Sequence, residues 1–413
     1  MEGPDSYALA GGLGARVTGL VRATAGLGIE THLVFVGDPD APPLEVRAGG
    51  RLVLHRWGQW ISRHHRGGVY DGEWDKVADY TASVPGFVAS LVREALLRGD
   101  RAALLAEEWQ TAEALCRTVD LLGGQESGRG YASLWNCNHP LCLDRVDWGR
   151  LQARARITTV SRYMRHRLLN AGVEARVVPN GIPSSMLAPA PPDQLAALQA
   201  ALAGRLSLAK VGRWDPDKAW LPAVEAAAQL RGQGVPVRLL LRGGVEPHGH
   251  EVLERARGLG LRVRDLIDPA PGGPGLITAV SLHADADVLN LRFRLTEEHK
   301  RLLFRACDAV LANSRMEPFG LVGLETMAAG GVAIVGDTGE DYATPGSALR
   351  VTTGTAEELS ARIAWLRMTP AAGLALRRAG RRTAADFVWE RVIATALWPT
   401  AWALRPPAAL RSS

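Results

Sequence analysis

At 413 residues the chain is too long for one ordinary core and suits two domains of about 200 residues each. Nearly half of it is apolar and 22% is charged, a globular balance that excludes a disordered chain. The net charge of +5 is dispersed, without a Lys/Arg block that would call for nucleic acid.

No uncharged apolar run of about 18 residues is present, so no spanning helix is expected, and only peripheral membrane contact stays open. The opening Met1-Glu-Gly-Pro-Asp-Ser6 has neither a basic nor an apolar region of a secretory signal. Cys116, Cys137, Cys142 and Cys307 are too scattered for a disulfide framework and lack the paired spacing of a zinc site. A cytoplasmic protein without bound metal is the expectation. The lysines are confined to Lys76, Lys210, Lys218 and Lys300, against an arginine-rich background. Where lysine is this scarce, each one retained is a better functional candidate.

In chain order, a rhythm of strand, glycine-bearing turn and helix predicts parallel sheets covered by helices. Thr31–Gly37, Arg101–Ala106, Ile157–Ser161 and Ala175–Val178 read as strands of a first domain, residues 1–180. A doubly wound domain opens with an apolar strand that feeds its first glycine turn. Here Gly11-Gly-Leu-Gly14 follows only Tyr7-Ala-Leu-Ala10, so either the chain starts late or the first strand is missing or improvised. The Pro- and Gly-rich residues 181–192 read as a linker. A second domain, 193–383, holds strands at Leu206–Gly212, Val237–Arg242, Val288–Arg292, Ala309–Asn313 and Val332–Val335, with a helix from about Lys218 to Arg231. Thr355-Ala-Glu-Glu358 reads as a capping box, and residues 384–413 as a closing helix and tail. Two doubly wound, Rossmann-like domains facing a central cleft are the expected architecture.

The segment Asn313-Ser-Arg-Met-Glu-Pro-Phe-Gly-Leu-Val-Gly-Leu-Glu325 puts Glu317 in a loop before a helix and Glu325 inside that helix. The N–H groups of Phe319, Gly320 and Leu321 are then available to acceptor oxygens. By spacing alone, Glu317 complements a helix dipole and Glu325 is a solvated helical residue. Gly212-Arg-Trp-Asp-Pro-Asp-Lys218 follows a strand, and Arg213 and Lys218 can converge on one anion.

Together these segments resemble retaining GT-B glycosyltransferases, notably glycosyltransferase family 4 (group 1) and its glycogen-synthase-like relatives. The first match is to their E-x7-E motif, the second to their G-R-x4-K element. The resemblance implies transfer of a hexosyl group, glucosyl or mannosyl, from a UDP-, ADP- or GDP-sugar to a hydroxyl of a carbohydrate or glycolipid, without a bound cofactor. It gives Glu317 the transferred sugar, Glu325 the donor ribose, and Arg213 and Lys218 the diphosphate. Gly11, Gly12 and Gly14 then approach the donor phosphates, and His139 lies near the donor sugar, a place Asn138 could also hold. Glu107-Glu108 resembles the strand end of the acceptor domain, where either glutamate could face the cleft or cap a helix. Trp57, Trp60 and Trp74, with Glu108, are acceptor candidates because aromatic faces stack on sugar rings, the alternative being a hairpin or helix whose tryptophans pack inward. The alternatives are a sugar-nucleotide epimerase of the same fold and a catalytically silent nucleotide- or carbohydrate-binding protein.

Overall fold

The computed structural model describes residues 1–124, 130–141, 143–267 and 272–402. Cys142 and the expected tail over 403–413 lie outside them. The chain divides into two compact units: Met1–Gly181 with the segment from Trp389, and Ile182–Val388.

The first unit contains β1 (Thr31–Val36), β2 (Leu44–Arg47), β3 (Leu52–Trp57), β4 (Ala102–Glu107), β5 (Tyr131–Cys137), β6 (Arg156–Thr159) and β7 (Arg176–Val177). They form two sheets, ordered β1-β3-β2 and β4-β5-β6-β7, parallel throughout except for β2. Among the described residues no strand precedes the helix Gly12–Gly26. On the β1 edge away from β3, the Val36 N–H donates to the Met1 carbonyl at 3.1 Å and the Tyr80 hydroxyl donates to the Val34 carbonyl at 2.9 Å.

The helical segments from Trp389 to Trp402 belong to this first unit. Trp389, Val392, Ile393 and Leu397 pack with Leu20 and Ala23 of the first helix and with Leu134 of β5. A Cβ added at Gly19 or Gly181 would stand within 2.5 Å of the Trp389 ring. The glycines are what let the indole lie flat against two backbones.

The second unit contains β8 (Leu206–Val211), β9 (Val237–Arg242), β10 (Val263–Leu266), β11 (Val288–Leu291), β12 (Ala309–Ala312), β13 (Ala333–Val335) and β14 (Leu349–Arg350). They make one sheet, ordered β10-β11-β9-β8-β12-β13-β14, with every pairing parallel. Successive strand side chains face opposite ways. Leu239 and Leu241 therefore join one buried cluster and Leu240 the other, and Leu311 and Val310 divide likewise. A sheet buried on both faces needs apolar side chains pointing both ways, as residues 239–241 and Ala309–Ala312 supply.

The helix expected from Lys218 is interrupted. Pro216–Lys218 is a separate short turn, Ala219 turns left-handed at φ 51°, and the helix proper is Trp220–Gly232. The expected capping box at Thr355 is half made. Thr355 accepts the Glu358 N–H, while the Glu358 carboxylate turns outward to the N–H groups of Thr352, Thr353 and Gly354.

Candidate functional site

β8 leads to β9 on one side of the sheet and β12 leads to β13 on the other, so the strand order reverses between β8 and β12. The loops after two such strands diverge and leave a crevice at their carboxyl ends. One of these loops carries Arg213 and Lys218, the other Glu317.

The loop after β12 runs to Gly320, which precedes the helix Leu321–Ala328 without a side-chain cap and with no acidic residue in the first turn. The first N–H groups of that helix thus have neither a capping side chain nor a countercharge, the arrangement that suits an anion. Two glycines make the packing feasible. A Cβ at Gly323 would meet the Tyr342 hydroxyl at 2.5 Å, and one at Gly339 would meet the Pro318 carbonyl at 2.1 Å.

Lys218 and Glu317 come together, with Nζ to Oε2 at 2.5 Å, and Ser314 Oγ donates to the same oxygen at 3.1 Å. Thr338 secures the Glu317 main chain: its Oγ1 accepts the Glu317 N–H at 2.9 Å and donates to the Glu317 carbonyl at 3.1 Å. Glu325 pairs with Lys300, from the helix Glu297–Ala306, through both carboxylate oxygens. Lys210 is buried beneath, donating to Asn313 Oδ1 at 2.6 Å, while Asn313 donates to the Ala219 carbonyl at 3.3 Å. Burial, then the nearby Lys218 charge, lowers the Lys210 ammonium to about 7. Three of the four lysines are thereby gathered into one region of this unit.

Other candidates are placed differently. Arg213 is 60% exposed, with Asp215 at 3.9 Å as its ion partner. Its carbonyl, not its guanidinium, is fixed, accepting from Trp220 Nε1 at 2.7 Å. Phe319 is buried against Tyr342 and Phe387, which leaves its main chain as the part that can serve a ligand.

In the first unit, Gly11 and Gly12 face open space, whereas the Gly14 N–H donates to Glu2 Oε2 at 2.8 Å. That carboxylate also takes the Ala10 N–H at 3.2 Å, so an internal anion already holds part of the turn. His139 follows β5, and its Nδ1 accepts the Leu141 N–H at 3.2 Å. Glu107 is locked by Arg16 at 3.0 Å and by the amides of Asn136 and Asn138. Glu108 has φ 68°, a left-handed conformation uncommon outside glycine, and accepts the Asn138 N–H at 2.5 Å. Burial, and the neighbouring Glu107 charge, raise its carboxyl to about 7.

The three acceptor-candidate tryptophans are not brought together. Trp57 ends β3, packs on Phe87 and donates to Ser83. Trp60 is 63% exposed on a short helical turn. Trp74 pairs instead with Trp109, and the Arg145 guanidinium lies 4.9 and 4.7 Å from the two ring centres. Sequence reasoning gave Lys300 and Lys210 no specific role, and it overlooked Thr338 and Trp109. For the two lysines a signal existed, their scarcity.

Among the described residues no group of three or more His, Cys, Asp or Glu could hold a metal ion, and no helix is long and apolar enough to cross a membrane. Cys116, Cys137 and Cys307 are free and buried.

Residues 281–382 match the family of glycosyl transferases group 1, about a quarter of the chain and the part that carries Lys300, Glu317, Glu325 and Thr338. Comparison with curated proteins gives no match. Among solved structures, the sucrose-phosphate synthase of Thermosynechococcus elongatus is similar at 20% identity, with 93% of this chain and 91% of that one covered and a TM-score of 0.63. An α,α-trehalose-phosphate synthase (UDP-forming) of Burkholderia xenovorans, in complex with glucose-6-phosphate, is similar at 14% identity, 95% of each chain and a TM-score of 0.64. Anabaena Alr3699/HepE, in complex with UDP-glucose, is similar at 18% identity, 76% of this chain and 81% of that one, with a TM-score of 0.56. At these identities the likeness is one of fold. The chain has the two Rossmann-like units of the GT-B fold, and residues 281–382 of the second match the group 1 glycosyl transferases.

Proposed function

We propose that this protein is a retaining hexosyltransferase that moves a glucosyl or mannosyl group from a nucleotide-diphosphate sugar to a hydroxyl acceptor. The observation that carries the reading is the pair of lysine–carboxylate contacts, Lys218–Glu317 and Lys300–Glu325, flanking the uncapped start of the helix Leu321–Ala328. A sugar nucleotide presents one dianionic diphosphate between two sets of hydroxyls. Cations and helix N–H groups suit the first, carboxylates the second.

In this reading Lys218, Arg213 and the N–H groups of Phe319, Gly320 and Leu321 take the diphosphate. Glu317 accepts hydrogen bonds from the transferred sugar, and Glu325 from the ribose diol. Gly11, Gly12 and Gly14 approach the phosphates, and His139 serves the donor sugar. Trp74 and Glu108 remain acceptor candidates, with Trp60. Trp57 is a weaker one because its ring is engaged in packing. A UDP-hexose is the favoured donor, supported by the UDP-glucose complex of the Anabaena structure, and a carbohydrate or its phosphate the favoured acceptor.

The reaction breaks the bond from the anomeric carbon to the diphosphate and forms one to the acceptor oxygen on the same face. The acceptor proton passes to the departing phosphate oxygen. Charge grows on the diphosphate as it leaves, and preorganised cations and N–H dipoles stabilise that charge. No dedicated nucleophile is needed on this account, and the protein acts in the cytoplasm, where sugar nucleotides are made. A panel of nucleotide sugars scored for nucleotide release, with and without acceptors, tests the reading. Release that ignores every acceptor, or product with inverted configuration, would count against it.

A further inference from the structure

Glu340 lies in the loop after β13, 2% exposed, and it touches none of the lysines that balance the other site carboxylates. Its Oε2 accepts the Thr338 N–H at 3.0 Å and lies 3.4 Å from Thr338 Oγ1. Its Oε1 is buried without a partner. That oxygen sits against the main chain of Gly320 and Gly336, where an added Cβ would stand 3.1 and 3.6 Å away. The Tyr342 hydroxyl, close by, is already spent on the Gly320 carbonyl.

A threonine hydroxyl has one proton to give. Thr338 Oγ1 stands 3.1 Å from the Glu317 carbonyl and 3.4 Å from Glu340 Oε2, so the two oxygens compete for it. While Glu340 is a neutral acid, the proton goes to Glu317, and the loop is held by three bonds: Glu317 N–H to Thr338, Thr338 to the Glu317 carbonyl, and Gly339 N–H to that carbonyl at 2.9 Å. When Glu340 is an anion it is the stronger acceptor and draws the hydroxyl away.

We infer that Glu340 is a positioning residue for Glu317, acting through the single proton of the Thr338 hydroxyl and holding the loop only while it is protonated. The inference rests on the donor-site reading of Glu317. Burial first, then the Glu317 charge, raises the Glu340 carboxyl to about 7, so the neutral acid persists to neutral pH. The titratable and charged groups around it are Glu317 with its partner Lys218, Tyr342 from its own loop, Glu325 with Lys300, and Lys210 beneath. Asp337 is paired with Arg350, and Asp341 is next in the chain. Burial and the carboxylates raise Tyr342 well beyond this range, so Glu340 and Lys210 are the two groups here that titrate near 7, and E340Q separates them because it leaves Lys210 in place.

The test compares wild type, E340Q, E340A and T338V between pH 5.5 and 8.5, using nucleotide release and the hydrogen exchange of the Glu317 and Gly339 amides. Wild type should lose donor kcat/KM about tenfold per pH unit above the Glu340 transition, the slope of one essential proton. Protection of both amides should fall over the same range. E340A, which removes the acceptor of the Thr338 N–H, should be at least tenfold slower at pH 6. E340Q, which mimics the neutral acid, should recover most of that loss and show no alkaline fall, and T338V should be slow at every pH. An alkaline fall in E340Q equal to that of wild type would overturn the inference, as would E340Q no better than E340A. Exchange that follows the Glu340 transition in a protein without nucleotide-sugar turnover would uphold the positioning role and reject the transferase reading.

Discussion

The Lys300 ammonium meets both carboxylate oxygens of Glu325, at 2.8 and 2.9 Å, across 25 residues of sequence. Lys300 is 26% and Glu325 14% exposed, so the pair is sheltered yet open to a ligand on one side. Lys300 thereby fixes the carboxylate that is proposed to take the ribose diol.

Lys300→Met should therefore weaken the ground-state hold on the donor rather than the chemistry. We expect the donor KM to rise about tenfold, roughly 1.4 kcal/mol, with kcat within about threefold of wild type. Steady-state kinetics at varied donor concentration check this. A fall in kcat at unchanged KM would place Lys300 in the transition state instead.

Trp389 tests the packing of the first unit. The ring is 2% exposed and lies against Gly19 and Gly181, with Arg16 5.7 Å above it. Trp389→Ala should cost about 3–5 kcal/mol, the range for a large aromatic lost from a core. Urea unfolding followed by circular dichroism measures it.

Glu108 supplies a pH-dependent prediction. Its carboxyl is raised to about 7 in the folded protein, from an ordinary 4.5. Between these values the folded state holds a proton that the unfolded state has lost, so the contribution of Glu108 to stability falls as pH rises from 4.5 and levels off above about 7. Glu108→Gln escapes that loss. Its melting temperature relative to wild type should rise between pH 4.5 and pH 8 by on the order of a few degrees. A constant difference across that range would contradict the assignment.

The parallel-sheet rhythm was legible because apolar runs buried on both faces cannot be disguised, as residues 239–241 and Ala309–Ala312 illustrate. Glu317 and Glu325 were legible as a local motif on one loop and helix. Their partners were not, because Lys218 reaches Glu317 over 99 residues and Lys300 reaches Glu325 over 25. Spacing carries no information at that range. Lysine scarcity did point to both, and to Lys76, which proved to be buried and bound to the Tyr7 hydroxyl and the Gly68 carbonyl. The tryptophan segment does not fold as one unit, because proximity in sequence is not proximity in space. Trp57 ends a strand and Trp74 begins a helix, and each faces its own neighbour. The interruption at Ala219 was also hidden, since the Asn313 amide that donates to its carbonyl lies far along the chain.

The central claim, a donor site built on Lys218 and Glu325, is tested most directly by acceptor-dependent nucleotide release in wild type, Lys218→Ala and Glu325→Ala. Removing Lys218 takes away a cation proposed to meet the leaving diphosphate, and should lower kcat/KM about 10²- to 10³-fold. Glu325→Ala should weaken donor use severely as well. Near-normal donor turnover in both variants would contradict the account.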